Sequence, residues 1–194
     1  MTTSTLFIAV DWGTSHLRAY LCKVGEGSEL TLIDQCDGLG VVKVNQHFQQ
    51  TLIHAITPWT AQYGVLPIYI AGQITSTIGW HETPYLECPI NPEGLLDAAV
   101  SFECEGHTIN ALPGTKCTLQ NTLIDVMRGE ELQILGFLKQ NEQYQTGKIL
   151  LCLARLDMQS TMKLPRSSSL IGLQAVSSPF PKTKNALPPR SSGI

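Results

Sequence analysis

Between Leu6 and Val24 the chain carries two apolar runs, LFIAV and LRAYLCKV, separated only by Asp11-Trp12-Gly13-Thr14-Ser15-His16. Parallel strands need a crossover of a dozen or more residues, so two strands this close in sequence must run antiparallel. Residues 5 to 10 and Leu17 to Val24 are therefore read as a hairpin. Glu29 to Gln35 is a third strand candidate, reached through a turn supplied by Gly25 and Gly27. A three-strand antiparallel meander is the expected start of the fold.

Beyond the meander the pattern alternates. Phe48, Leu52, Ile53, Ile56 and Trp59 recur at helical spacing, so a helix is expected over Gln46 to Tyr63, with Pro58 late in it. Pro67 to Ala71 is a short buried strand ending at Gly72. Pro92 to Val100 reads as a short helix, Thr108 to Leu112 as a strand, Asp125 to Lys139 as an amphipathic helix and Lys148 to Leu153 as a last buried strand. Leu112 to Lys116 reads as a turn. A meander followed by alternating helix and strand indicates an α/β domain with a mixed sheet and flanking helices.

Charge divides the chain. Residues 1 to 153 hold seven Lys/Arg against fifteen Asp/Glu, whereas residues 154 to 194 hold six against one, with five prolines and eight serines. Pro and Ser at that density do not sustain helix or sheet, so 154–194 is expected to be an irregular tail and 1–153 the ordered domain. The acidic body argues against a nucleic-acid or anionic-membrane partner, and no apolar run approaches the length of a membrane helix. MTTSTLFIAV lacks the basic start of a secretory signal, so a cytoplasmic protein is expected. Six cysteines without a CxxC pair read as reduced thiols, and five scattered histidines form no HExxH pattern.

Three stretches carry chemistry. In Asp11 to Ser15, Gly13 lets the chain turn tightly, Thr14 and Ser15 offer hydroxyls to phosphate oxygens, and Asp11 at a strand end suits a hydrated Mg²⁺. Taken alone, the string reads more readily as a β-turn whose polar side chains cap one another. Around Asp125 to Gln133, Arg128 beside Glu130 and Glu131 suits a site that holds an anion while a carboxylate handles a proton. The same glutamates also suit a helix N-terminus. Gly72, Thr75, Ser76, Trp80 and Tyr85 follow a buried strand and fit either a sugar pocket or a packed loop.

Four stretches occur together and in order: IAVDWGTSHLRAYL, IAGQITSTIGWHETPYLECP, LPGTK and IDVMRGEELQILG. In these the chain, over residues 6 to 153, resembles the 2-dehydro-3-deoxygalactonokinase family. The resemblance implies an RNase H-like ATPase domain of the actin, Hsp70 and sugar kinase superfamily. It also implies ATP-dependent phosphorylation of 2-dehydro-3-deoxy-D-galactonate at its 6-hydroxyl, with ATP and Mg²⁺ as cofactors and a small sugar acid as partner.

The resemblance makes Asp11 to Ser15 the first phosphate-binding hairpin, with Asp11 toward the metal, Gly13, Thr14 and Ser15 near the transferred phosphoryl and Arg18 close by. Gly72, Thr75, Ser76, Trp80 and Tyr85 would line the sugar-acid side. Arg128 would meet the substrate carboxylate, and Glu130 or Glu131 would sit near the reacting hydroxyl. Where the family often shows glycine–serine–arginine, this chain has Thr75-Ser76-Thr77. After Leu153 the family continues with a proline–glycine–threonine–histidine turn and a second domain, whereas here Ala154 begins the Pro/Ser-rich segment. A frameshifted or truncated product with little kinase activity is the expectation that follows. A metal-dependent hydrolase on an RNase H-like fold is the other reading of Asp11 with Glu130 and Glu131.

Overall fold

The computed structural model describes residues 5–26, 29–118 and 124–141. The expected strand over Lys148 to Leu153 and the 154–194 tail lie outside the described residues, as does the boundary placed near Leu153.

The meander forms as expected from β1 (Thr5–Trp12), β2 (His16–Val24) and β3 (Leu30–Leu39), paired antiparallel in that order. Helix α1 (Phe48–Tyr63) leads to β4 (Ile68–Ala71), which pairs parallel to β1. The hairpin β6 (Val100–Cys104) and β7 (His107–Ala111) adds β7 parallel to β4, giving a six-stranded mixed sheet in the order β3-β2-β1-β4-β7-β6. A second, three-stranded sheet is built from β5 (Tyr85–Glu87), β8 (Gly114–Thr118) and β9 (Ile124–Met127), in the order β5-β8-β9. Helices α2 (Pro92–Asp97) and α3 (Glu130–Gln140) complete the described strands and α-helices, with short 3-10 turns at Val41–Lys43 and Gln73–Thr75.

The period-two pattern of the meander decides which face is covered. Ile8, Val10 and Trp12 on β1 and Leu17, Ala19 and Leu21 on β2 are buried, and α1 brings Phe48, Leu52, Ile56 and Trp59 into the same core. Trp12 meets Phe48 edge-on at 5.9 Å and donates its indole N–H to the Leu39 carbonyl at 3.0 Å. Complete burial of side chains such as Ile8, Leu52 and Ile56 contributes about 1.5–3 kcal/mol each. Pro58 lies within α1 on its exposed side, as does His54 one turn earlier.

Three local expectations are corrected. Asp125 to Met127 is strand rather than helix: β9 pairs with β8, and Gly129, at φ 109°, turns the chain before α3 starts at Glu130. Residues 114–116, read as part of a turn, belong to β8. Gly114 is required there because a Cβ would lie 2.6 Å from the Met127 carbonyl oxygen and 2.9 Å from the Tyr85 ring. Helix α2 ends at Asp97, its start capped by Asn91 Oδ1 accepting from Gly94 N at 2.8 Å, and Val100 already belongs to β6. Tyr85, left open between a sugar pocket and a packed loop, begins β5 (Tyr85–Glu87).

Candidate active site

The parallel strands β1, β4 and β7 point their carboxyl ends the same way, the edge at which open α/β sheets bind ligands. Asp11 is the second-last residue of β1, and its register partner on β4 is Ala71, immediately before Gly72. Register also places Asp11 opposite Arg18, and Arg18 opposite Asp37, in a row across three strands. Arg18 Nη1 lies 3.7 Å from Asp11 Oδ2, and its Nε lies 4.0 Å from Asp37 Oδ1.

The tip of the first hairpin is tied from behind. The Gly13 N–H donates to the His16 carbonyl at 2.9 Å. The carbonyls of Gly13, Thr14 and Ser15 accept from Val41, Val42 and Gly40 N–H at 3.0, 3.2 and 3.2 Å. Gly40 can come this close only without a side chain: a Cβ would stand 2.2 Å from the Ser15 carbonyl carbon. The Thr14 and Ser15 side chains remain exposed beyond the strand end. Gly40 was not anticipated, because its partners lie some 25 residues earlier.

Two further glycines converge on Asp11. Gly72 has φ 94°, and a Cβ on it would lie 2.9 Å from the Trp12 carbonyl oxygen and 3.4 Å from Asp11 Oδ1. Gly129 has φ 109°, and its Cβ would lie 3.1 Å from Gly72 Cα and 3.9 Å from Asp11 Oδ1. The end of β4 and the start of α3 therefore meet backbone to backbone beside the carboxylate. Burial raises the Asp11 pKa; Arg18 opposes this, and the nearby negative charge of Glu130 adds to it.

The two glutamates divide their tasks. Glu130 Oε2 accepts from Arg128 N at 2.9 Å while its charge reaches Asp11. Glu131 is buried, and both its carboxylate oxygens accept from Gly129 N, at 2.8 and 2.9 Å. Burial pushes the Glu131 pKa up against the opposing effect of those hydrogen bonds.

Arg128 is 6% exposed. Its Nη1 donates to the Thr75 carbonyl, to Thr75 Oγ1 at 2.9 Å and to Thr83 Oγ1 at 2.7 Å, while Nη2 donates to the Thr83 carbonyl at 2.9 Å. The Tyr85 ring lies over the guanidinium with its centroid 4.1 Å from Cζ, a cation–π arrangement. Among the described residues, Arg128 Nε has no hydrogen-bond partner. Arg128 thus joins β9 to the segment after β4 and to β5.

Of the other expected residues, Thr75 is fully buried inside this cluster and Tyr85 forms its outer wall. Ser76 is engaged locally, donating to the Gln73 carbonyl at 2.7 Å and accepting from Ile78 N at 3.4 Å. Trp80 turns toward the outer strand, edge-on to Phe102 of β6 at 5.1 Å. Thr83 was not singled out from the sequence, although it is 1% exposed and takes two of the Arg128 hydrogen bonds.

Mg²⁺ is bound by one or two carboxylates together with water and phosphate oxygens. A half-buried carboxylate at a strand end, with a second carboxylate nearby, fits such an ion. Among the described residues, no three His, Cys, Asp or Glu side chains group as an all-protein metal cage.

Comparison with known proteins agrees with the resemblance. Residues 11–154 match the family model for 2-keto-3-deoxy-galactonokinase. The chain is 30% identical over 131 residues to the 2-dehydro-3-deoxygalactonokinase of Escherichia coli (strain K12), spanning 67% of this chain and 41% of the relative. It is 31% identical over 136 residues to a probable 2-dehydro-3-deoxygalactonokinase of Rhizobium meliloti (strain 1021), spanning 70% and 43%. A crystal structure assigned as a 2-dehydro-3-deoxygalactonokinase from Sinorhizobium meliloti superposes with a TM-score of 0.63 at 28% identity, covering 75% of this chain and 45% of that one. The chain spans less than half the length of these relatives.

Proposed function

From the membership of this chain in the 2-keto-3-deoxy-galactonokinase family, we propose that it carries the phosphate-turn and sugar-acid portion of an ATP-dependent kinase. The proposed reaction moves the γ-phosphoryl of ATP to the 6-hydroxyl of 2-dehydro-3-deoxy-D-galactonate. The observation that carries this reading is the convergence of Asp11, Gly72 and Gly129 at the carboxyl edge of the parallel strands. The order β3-β2-β1-β4-β7, antiparallel through β1 and parallel after it, supports an RNase H-like ATPase fold.

Phosphoryl transfer asks mainly for positioning and charge neutralisation. In this reading the tied tip presents the amides and hydroxyls of Thr14 and Ser15 to the phosphate oxygens, with Gly13 shaping the turn and Arg18 as a nearby positive charge. Asp11 would hold Mg²⁺, with Glu130 beside it; the ion would neutralise developing charge on the phosphate. The Arg128 Nε–H is the donor we assign to the sugar-acid carboxylate. Thr75, Ser76, Trp80 and Tyr85 shape the segment that receives the sugar. Of the two glutamates, we assign the proton of the reacting hydroxyl to Glu130, since Glu131 is buried with both oxygens turned to the Gly129 N–H. The free thiols of Cys22, Cys36, Cys88, Cys104 and Cys117 fit a reducing compartment, and we place the reaction in the cytoplasm.

The test is an ADP-release assay on the 194-residue chain with ATP, Mg²⁺ and the sugar acid, paired with calorimetric titration of each ligand. The expected result is saturable sugar-acid binding that Mg²⁺–ATP strengthens and Asp11→Asn weakens. Absence of both ADP release and sugar-acid binding overturns the proposal.

A further inference from the structure

The second sheet carries a pair of thiols that the proposed phosphoryl transfer does not use. Strands β5 and β8 run parallel with Glu87 opposite Lys116, and the Cys88 N–H donates to the Lys116 carbonyl at 2.8 Å. That hydrogen bond carries the ladder one residue past β5 and makes Cys117 the partner of Cys88. Partners on adjacent strands project to the same face, and the strands lie about 4.8 Å apart, within the Cα separation of about 4.4–6.8 Å that a disulfide spans. Both thiols are free and half-buried.

We propose that Cys88 and Cys117 form a modification site, a dithiol that a hydroperoxide closes to an intrachain disulfide joining β5 to β8. In the first step the Cys88 sulfur attacks the peroxide oxygen. An S–O bond forms, the O–O bond breaks, and the departing oxygen leaves as water or alcohol with the thiol proton. In the second step the Cys117 sulfur displaces the hydroxyl from the Cys88 sulfenic acid. An S–S bond forms, the S–O bond breaks, and water leaves with the Cys117 proton. Two thiols lose two electrons in all, and one peroxide takes them up.

The order of events follows from the surroundings of Cys117. Burial, the Cys88 thiol and the carboxylates of Asp125 and Glu87 push its pKa up to about 12, so Cys117 stays protonated and Cys88 reacts first. Asp125 is the register partner of Cys117 on β9, and Glu87 is held 3.2 Å from Lys116 Nζ. The disulfide would form just past the end of β5, three residues after Tyr85, whose ring covers Arg128.

The test is treatment of the full chain with hydrogen peroxide, followed by peptide mapping without reductant. The expected product is a peptide pair joined through Cys88 and Cys117, lighter by two hydrogens and separated again by a thiol reductant. Under the same treatment Cys117→Ser should leave Cys88 as a sulfenic acid captured by dimedone, whereas Cys88→Ser should leave Cys117 uncaptured. Linkage of either cysteine to another partner, oxidation of the two independently, or recovery of both as free thiols overturns the proposal. None of these readouts depends on kinase activity, so the proposal stands or falls separately from the assignment of function.

Discussion

Gly129 backs onto Gly72 so closely that a Cβ on Gly129 would sit 3.1 Å from the Gly72 α-carbon. That contact joins the second sheet and α3 to the carboxyl edge of the first sheet, and it lies within reach of Asp11 Oδ1. Both residues hold positive φ, so their lack of a side chain serves conformation and space at once.

Gly72→Ala therefore pays twice. The dihedral alone costs about 1–3 kcal/mol, and the new methyl group would press 2.9 Å from the Trp12 carbonyl oxygen. Gly64→Ala is the matched control, since Gly64 has φ 78° with nothing within 4 Å of an added Cβ. Urea unfolding should show the larger midpoint loss for Gly72→Ala, and equal losses would contradict the close approach.

Arg128→Met removes the donor that satisfies the buried Thr83 carbonyl, whereas the Thr75 carbonyl keeps the Thr83 N–H at 3.0 Å and the Thr83 hydroxyl at 3.2 Å. A buried acceptor left unpaired costs about 1–3 kcal/mol. Arg128→Lys keeps the charge but lacks the planar fork that reaches both threonines, so it should recover only part of the loss. Denaturant midpoints for the two variants check the ordering.

Gly40→Ala should loosen the tip of the first hairpin, because no rotation of the methyl group relieves a 2.2 Å approach to the Ser15 backbone. The expected outcomes are a lower melting temperature and faster amide exchange at Val41 and Val42, whose N–H groups donate to the Gly13 and Thr14 carbonyls. Unchanged exchange at both amides would count against it.

A pH dependence follows from Asp34, which accepts the Trp59 indole N–H at 2.8 Å. That hydrogen bond, followed by one from the Gln35 backbone N–H, holds the Asp34 pKa below its ordinary 3.8. A depressed folded-state pKa gives stability that is present above 3.8 and is lost as the pH falls through the lower folded value. Asp34→Asn should flatten the melting-temperature profile in that acid window. A variant profile parallel to the wild type would remove the assignment.

The meander and α1 were legible because their periods are long and local: β2 alternates from His16 to Leu21, and α1 repeats its apolar positions over several turns. β5, β8 and β9 were not. They are three to five residues long, and Gly114-Thr115-Lys116-Cys117-Thr118 has neither the apolar alternation nor the length that marks a strand. Their pairing is non-local, and that pairing turned Asp125 to Met127 from an apparent helical turn into β9. Arg128 was singled out for its neighbours in sequence, Glu130 and Glu131. Its principal contacts, Thr75 and Thr83, lie 53 and 45 residues away, and no local pattern discloses them. Asp11 and the glycine after it were legible because a carboxylate and a tight turn between two apolar strands conflict with simple burial.

The tie between Gly40–Val42 and Gly13–Ser15 has a mechanical consequence. Trp12 rests edge-on against Phe48 at the start of α1, and its indole is fastened to Leu39 just before Gly40. Helix, brace and hairpin tip consequently form one lever. The N-terminal end of α1 and the backbone of the proposed phosphate turn are thus linked through Trp12, Leu39 and Gly40.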